Sequence, residues 1–73
     1  MRKKMESLAT KLDTMYLTEN PVNLSDEDYG YKYFICFHNT HTVIVRTKNI
    51  PDMIEALSDI IENGVTIGNG TFY

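Results

Sequence analysis

The amino-acid sequence predicts one small α+β domain over residues 1–73, with a three-stranded antiparallel sheet packed with two helices. Two segments repeat their apolar residues with the period of a helix, and the segment between them is rich in the aromatic and β-branched residues of strands. Of the 73 residues, 42% are hydrophobic, which suits one core. So short a chain buries only about 60% of its unfolded surface, so we expect a thin stability margin.

The first helix is predicted from one apolar stripe. Its apolar residues recur at spacings of four and three, which places them on one side of a helix. Asn20-Pro21 ends the segment, because the residue before proline disfavours the helical region. The stripe is too short for a coiled coil, so packing on the chain's own sheet is expected, with pairing between two chains as a homodimer as the alternative. The stripe consists of Met1, Met5, Leu8, Leu12 and Met15.

Residues 18–30 form one long connection that contains an acidic cluster. Ser25 and Asp28 have the spacing that caps a single helical turn. Connections of about a dozen residues are uncommon in compact domains and tend to be functional or mobile. A hairpin follows, formed by strands over 31–37 and 42–47.

The register of this hairpin is open, because its loop lacks the residue pairs that select one turn type. A three-residue loop would place Ile35 on one face with Val43 and Val45. A two-residue loop would pair Ile35 with Ile44 and Cys36 with Val43.

The second helix is predicted from six apolar residues on one side of a helix, with Pro51 in its first turn and Gly64 at its end. A strand over 65–67 follows, which gives the element order helix-strand-strand-helix-strand. A right-handed crossover would place this strand beside the first strand of the hairpin, in the sheet order 2-1-3. The six residues are Ile50, Met53, Ile54, Leu57, Ile60 and Ile61.

The composition narrows the class of protein. Cys36 is the only cysteine, and no signal sequence or stretch of ~20 apolar residues is present, so we expect a soluble, cytoplasmic protein that does not bind membranes. The net charge of −3 does not favour a nucleic-acid binder. No group of residues builds a catalytic site or a phosphate loop, so we predict no enzyme activity and no cofactor.

Carboxylates on the second helix and in the connection are the predicted partner-binding residues. The second helix contains no lysine or arginine, and Glu55 and Asp59 are a like-charged pair one turn apart. A solvated face that aids solubility would have the same composition. The predicted set is Asp52, Glu55, Asp59, Glu62, Asp26, Glu27 and Asp28.

Two alternative sites lie on the hairpin. Aromatic residues beside cations can stack unpaired bases, which predicts a single-stranded nucleic-acid site. Its residues are Tyr31, Lys32, Tyr33, Arg46 and Lys48.

The other alternative is a metal site at Cys36, His38 and His41, with ligands of the kind that zinc prefers. A structural zinc site wants a fourth ligand, and exposed histidines beside a buried cysteine would give the same pattern.

The leading hypothesis is therefore a small non-enzymatic regulatory or inhibitory protein that binds a protein partner. The order of elements is also that of many compact α+β proteins of bacteria and their mobile elements, an analogy at the level of the fold alone.

Overall fold

The computed structural model describes residues 2–64 and confirms the α+β class. Within that range two helices accompany a three-stranded antiparallel sheet. The elements in chain order are α1 (Arg2–Ala9), β1 (Met15–Thr18), a 3-10 turn (Asp26–Asp28), β2 (Tyr33–Phe37), β3 (Val43–Thr47) and α2 (Ile50–Asn63).

The first helix is shorter than predicted, since α1 ends at Ala9 and Met15 lies in a strand. The prediction of a helix up to Asn20 was therefore wrong. The last turn of α1 tightens, with hydrogen bonds from the amides of Lys11 and Leu12 to carbonyls three residues back. Residues 15–18 alternate between the two faces of the sheet, and Met15 lies in the core. These residues therefore follow the two-residue period of a strand and not the spacing that predicted a helix.

Strand β1 occupies the position beside β2 that was predicted for the last strand. Met15 lies opposite Phe37 and Thr18 opposite Phe34, and the sheet order is β1-β2-β3. The predicted order 2-1-3 and the element order ending in a strand are thus not confirmed. The predicted strand over 65–67 lies outside the described residues.

The hairpin of β2 and β3 combines the two registers that the sequence leaves open. Cys36 lies opposite Val43, as the shorter loop predicts. Ile35 lies opposite Val45 and not Ile44, and therefore shares a face with Val45, as the longer loop predicts. Ile44 is the extra residue of a β-bulge between these two pairs. A bulge adds one residue to one strand only, so a single sequence pattern cannot satisfy one register throughout.

Both helices pack on the same face of the sheet. Met5 of α1 and Met53 and Leu57 of α2 are buried together with Met15 and Ile35 from the strands. All the members of the predicted α2 stripe contribute to this core except Ile61, which is 40% exposed. The ends of α2 are those predicted, with Pro51 in the first turn and Gly64 after the last.

The connection between β1 and β2 covers the opposite face. Phe34 and Cys36 are buried but stand apart from the core, because alternation along β2 turns them away from Ile35. Asp28, from the 3-10 turn of the connection, is buried as well and contacts Arg46 of β3. The sheet is therefore covered on one face by helices and on the other by an irregular segment.

Candidate partner-binding surfaces

The solvent side of α2 carries four of the predicted carboxylates. The helix begins where the Asn49 side chain accepts a hydrogen bond of 2.9 Å from the Asp52 backbone amide. Apolar residues hold its other side against the sheet, which leaves the acidic side outward. Asp52, Glu55 and Glu62 are exposed and Asp59 is half-buried. We call these four residues the α2 acidic face.

Between residues 2 and 64 no cationic side chain forms an ion pair with the α2 acidic face. The arginines pair with other carboxylates, since Arg2 contacts Glu6 and Glu19 while Arg46 contacts Asp28. Asp59 accepts a hydrogen bond of 2.6 Å from the side-chain amide of Asn63. This donor is neutral, so the charge of Asp59 remains uncompensated. The α2 acidic face is thus a surface of one sign.

The structure does not bring the acidic residues of the connection together with the α2 acidic face. The two groups belong to segments that cover opposite faces of the sheet. Asp26 and Glu27 are exposed, but Asp28 is 2% exposed and points inward. The predicted partner-binding residues therefore divide into two surfaces, and Asp28 belongs to neither.

Asp28 fastens the connection instead. Its Oδ1 accepts a hydrogen bond of 2.7 Å from Arg46 Nε, and its Oδ2 accepts bonds from the Ser25 amide and hydroxyl at 2.9 and 3.1 Å. This is the single capped turn that the spacing of Ser25 and Asp28 predicts. The backbone hydrogen bond from Ser25 and the contact with Arg46 hold the pKa of Asp28 below its ordinary value, although burial opposes them.

The aromatic hairpin presents a smaller surface than the nucleic-acid hypothesis requires. Tyr33 is buried in the core, and Arg46 is held by Asp28. Tyr31 remains exposed with the Lys48 ammonium 5.3 Å from its ring centre, and the Lys32 ammonium lies 5.6 Å from the Tyr33 ring. Only the outer part of the predicted base-stacking platform is accessible.

Tyr16 of β1 contacts both histidines of the predicted metal site. Its hydroxyl shares a hydrogen bond of 2.8 Å with His41 Nδ1, and the ring centres of Tyr16 and His38 are 5.0 Å apart. His41 has a positive φ of 58°, a conformation in which histidine is one of the more tolerated residues. Within residues 2–64 no three His, Cys, Asp or Glu side chains converge closely enough to hold a metal ion.

Cys36 lies opposite Tyr16 on the neighbouring strand and is fully buried. Burial raises the pKa of Cys36, and the neighbouring Tyr16 hydroxyl opposes that effect only in part. A thiol with a raised pKa is a poor nucleophile at neutral pH, and no group in the cluster activates it. The arrangement is that of a structural cysteine.

Two features of the site were missed by sequence reasoning. Tyr16 lies within the segment predicted as the first helix, and only the alternation of Met15 through Thr18 could have indicated a strand. The connection also turns large apolar side chains outward at Val22, Leu24 and Tyr29. No sequence signal distinguishes an outward from an inward residue in an irregular segment.

The chain matches no protein-family model, no curated protein and no solved structure. Within residues 2–64 no helix has the length and apolar character that crossing a membrane requires.

Proposed function

We propose that this chain is a small non-enzymatic regulatory or inhibitory protein that binds a protein partner through the α2 acidic face. The observation that supports the proposal is that α2 carries four carboxylates and no lysine or arginine. Both arginines of the described range pair with carboxylates elsewhere, and no cation compensates those of α2.

This arrangement costs the isolated chain stability. Like charges one turn apart, such as Glu55 and Asp59, are unfavourable by about 0.2–0.5 kcal/mol. Glu62 adds to that cost, because it lies in the last turn of α2, where the helix dipole disfavours an anion. A partner surface rich in lysine and arginine would relieve both effects.

A basic protein surface is the complementary partner. Opposite charges across an interface accelerate association and suppress binding to other acidic proteins. The four carboxylates occupy successive turns of one rigid helix, so their spacing is preserved when the partner binds. A partner that itself binds nucleic acid would offer such a surface, and the chain would then compete with the nucleic acid for it.

The test is capture of partners by the tagged full chain from a lysate of its source or host, before and after nuclease treatment, with proteins identified by mass spectrometry. We expect a stoichiometric protein partner that survives nuclease. Recovery of nucleic acid, or loss of the partner on nuclease treatment, would instead support the aromatic hairpin as the binding surface.

A matched pair of charge reversals then assigns the surface. Glu55→Lys should weaken binding of the captured partner about tenfold or more, equivalent to about 1.4 kcal/mol. Asp13→Lys makes the same change of charge at an exposed residue outside α2 and should leave affinity nearly unchanged. Equal losses in the two variants, or none in either, would contradict the proposal.

A further inference from the structure

The connection between β1 and β2 carries most of the exposed large apolar side chains of residues 2–64. Val22 is 69% exposed, Leu24 44% and Tyr29 68%, and Tyr31, also exposed, lies just before β2 begins at Tyr33. Single exposed apolar residues are common on proteins, but several on one short segment are typical of a contact surface. The only other such residue in this range is Ile61 of α2.

Polar contacts hold this segment to the sheet, while its large apolar side chains face the solvent. The side-chain amide of Asn23 donates a hydrogen bond of 3.1 Å to the Thr40 carbonyl in the hairpin loop. Asp28 is buried against Arg46, and the Lys32 amide donates to the Thr47 carbonyl over 2.9 Å. Because these contacts hold the segment at three points, the apolar side chains are presented outward from a fixed backbone.

Fixed presentation favours binding. An apolar side chain on a preordered segment loses little further backbone entropy when a partner covers it. Loops that a scaffold holds in place are also where binding residues concentrate. Val22, Leu24 and Tyr29 are therefore suited to fill apolar pockets of another molecule.

The charges on the same segment indicate the chemistry of that molecule. Asp26 and Glu27 are exposed on the turn between Leu24 and Tyr29, and no cation of residues 2–64 pairs with either. Because Asp26 and Glu27 lie between Leu24 and Tyr29 along the chain, a surface that contacts both of these apolar residues would meet the two carboxylates as well. It must then supply cations at its rim, since an uncompensated charge in an interface is costly.

We propose that Val22, Leu24, Asp26, Glu27 and Tyr29, here named the connection ridge, dock a protein partner with apolar pockets bordered by lysine or arginine. A second copy of this chain fits less well, because symmetric pairing about the acidic turn would oppose Asp26 and Glu27 to themselves. The ridge lies on the side of the sheet away from α2. The inference rests on the proposed function only in that both require a protein partner.

The test uses the full chain labelled with nitrogen-15 and two short synthetic peptides as probes. One peptide alternates leucine with lysine, and in the other glutamate replaces lysine. We expect the lysine peptide to shift the amide signals of residues 22–29, more weakly as salt is raised, and the glutamate peptide to shift none. Because a cationic peptide also suits the α2 acidic face, the titration is repeated in Glu55→Lys, where the shifts over 22–29 should persist.

Matched variants assign the contact to the apolar side chains. Tyr29→Ser should weaken binding of the lysine peptide to the ridge about tenfold, as loss of a central aromatic anchor does. Ile61→Ser removes an exposed apolar residue of α2 and should leave that binding unchanged. Both positions are exposed, so the amide spectrum of each variant should remain that of the folded chain.

Three outcomes would overturn the inference. Shifts confined to α2 would refute the ridge while supporting the proposed function. Shifts over 22–29 that Tyr29→Ser does not weaken would show a purely electrostatic contact. A wild-type dimer in sedimentation that Tyr29→Ser dissociates would show that a second copy covers the ridge.

Discussion

Asp28 and Arg46 join the connection to the far strand of the sheet. The Arg46 Nε donates to Asp28 Oδ1 over 2.7 Å, and the two residues are 18 positions apart in the sequence. The same carboxylate accepts the Ser25 amide, so one buried group orders the turn and fastens it to β3. One ionised side chain therefore helps to hold the connection over Phe34 and Cys36.

Replacing Asp28 by asparagine should destabilise the fold. The change leaves Arg46 without its counter-charge and removes an acceptor from Ser25. Because Arg46 is one-third exposed and water can solvate it, we expect a loss of about 1–2 kcal/mol in the free energy of unfolding. Urea denaturation followed by circular dichroism measures it. Asp26→Asn, an exposed neighbour, should change the same quantity by less than about 0.5 kcal/mol, and equal effects would contradict the role of Asp28.

Acid should weaken the fold through the same carboxylate. The pKa of Asp28 in the folded chain lies below its ordinary value of 3.8, chiefly because of the Ser25 amide. The stabilisation is therefore complete above the unfolded-state pKa and is lost as pH falls through the folded-state pKa. The difference in stability between wild type and Asp28→Asn should shrink as pH is lowered from 7 to about 3. Its persistence at low pH would show that packing, not charge, is responsible.

Glu19 requires a separate control in that experiment. Its hydrogen bond with Arg2 also lowers its pKa, so it contributes acid sensitivity of the same sign. Glu19→Gln should leave the pH dependence that is specific to Asp28 in place.

Removing the Tyr16 hydroxyl should loosen the hairpin loop. Tyr16→Phe keeps the ring beside His38 but loses the hydrogen bond with His41. We expect the thermal midpoint to fall by a few degrees, because His41 Nδ1 must form its hydrogen bond with water instead. Tyr29→Phe is the matched control, since that residue is largely exposed and its change should leave the midpoint unaltered. Equal midpoints for wild type and Tyr16→Phe would show that the bond does not contribute to stability.

The Cys36 thiol should resist modification in the native state. It is fully buried, and burial raises its pKa, so little thiolate is both present and accessible. A chromogenic disulfide reagent at pH 8 should react on the order of a hundredfold more slowly with native than with urea-unfolded protein. Immediate reaction of the native protein would show that the connection opens readily, and would contradict the closed cover over the second face.

The sequence predicts the elements whose pattern is local. Helix α2 has an apolar stripe, Pro51 in its first turn and Gly64 after its last, and these lie as predicted except for the exposed Ile61. The hairpin strands follow from aromatic and β-branched residues, although a bulge at Ile44 decided their register. The four carboxylates of the α2 acidic face are outward for the same reason, because the opposite side of the helix is apolar.

The sequence by itself thus determined the α+β class, α2, the hairpin and the acidic side of α2. Only the tertiary structure decided that α1 ends at Ala9, that Met15–Thr18 pairs with β2, and that Asp28 is buried while Val22 and Tyr29 are exposed. The physical reason is that apolar residues spaced by three and four predict a helix up to Asn20, while the alternation of Met15–Thr18 equally fits a strand. Pairing with β2 decides between the two structures. In an irregular segment no period exists at all, and distant contacts such as Arg46 with Asp28 select which side chains face inward.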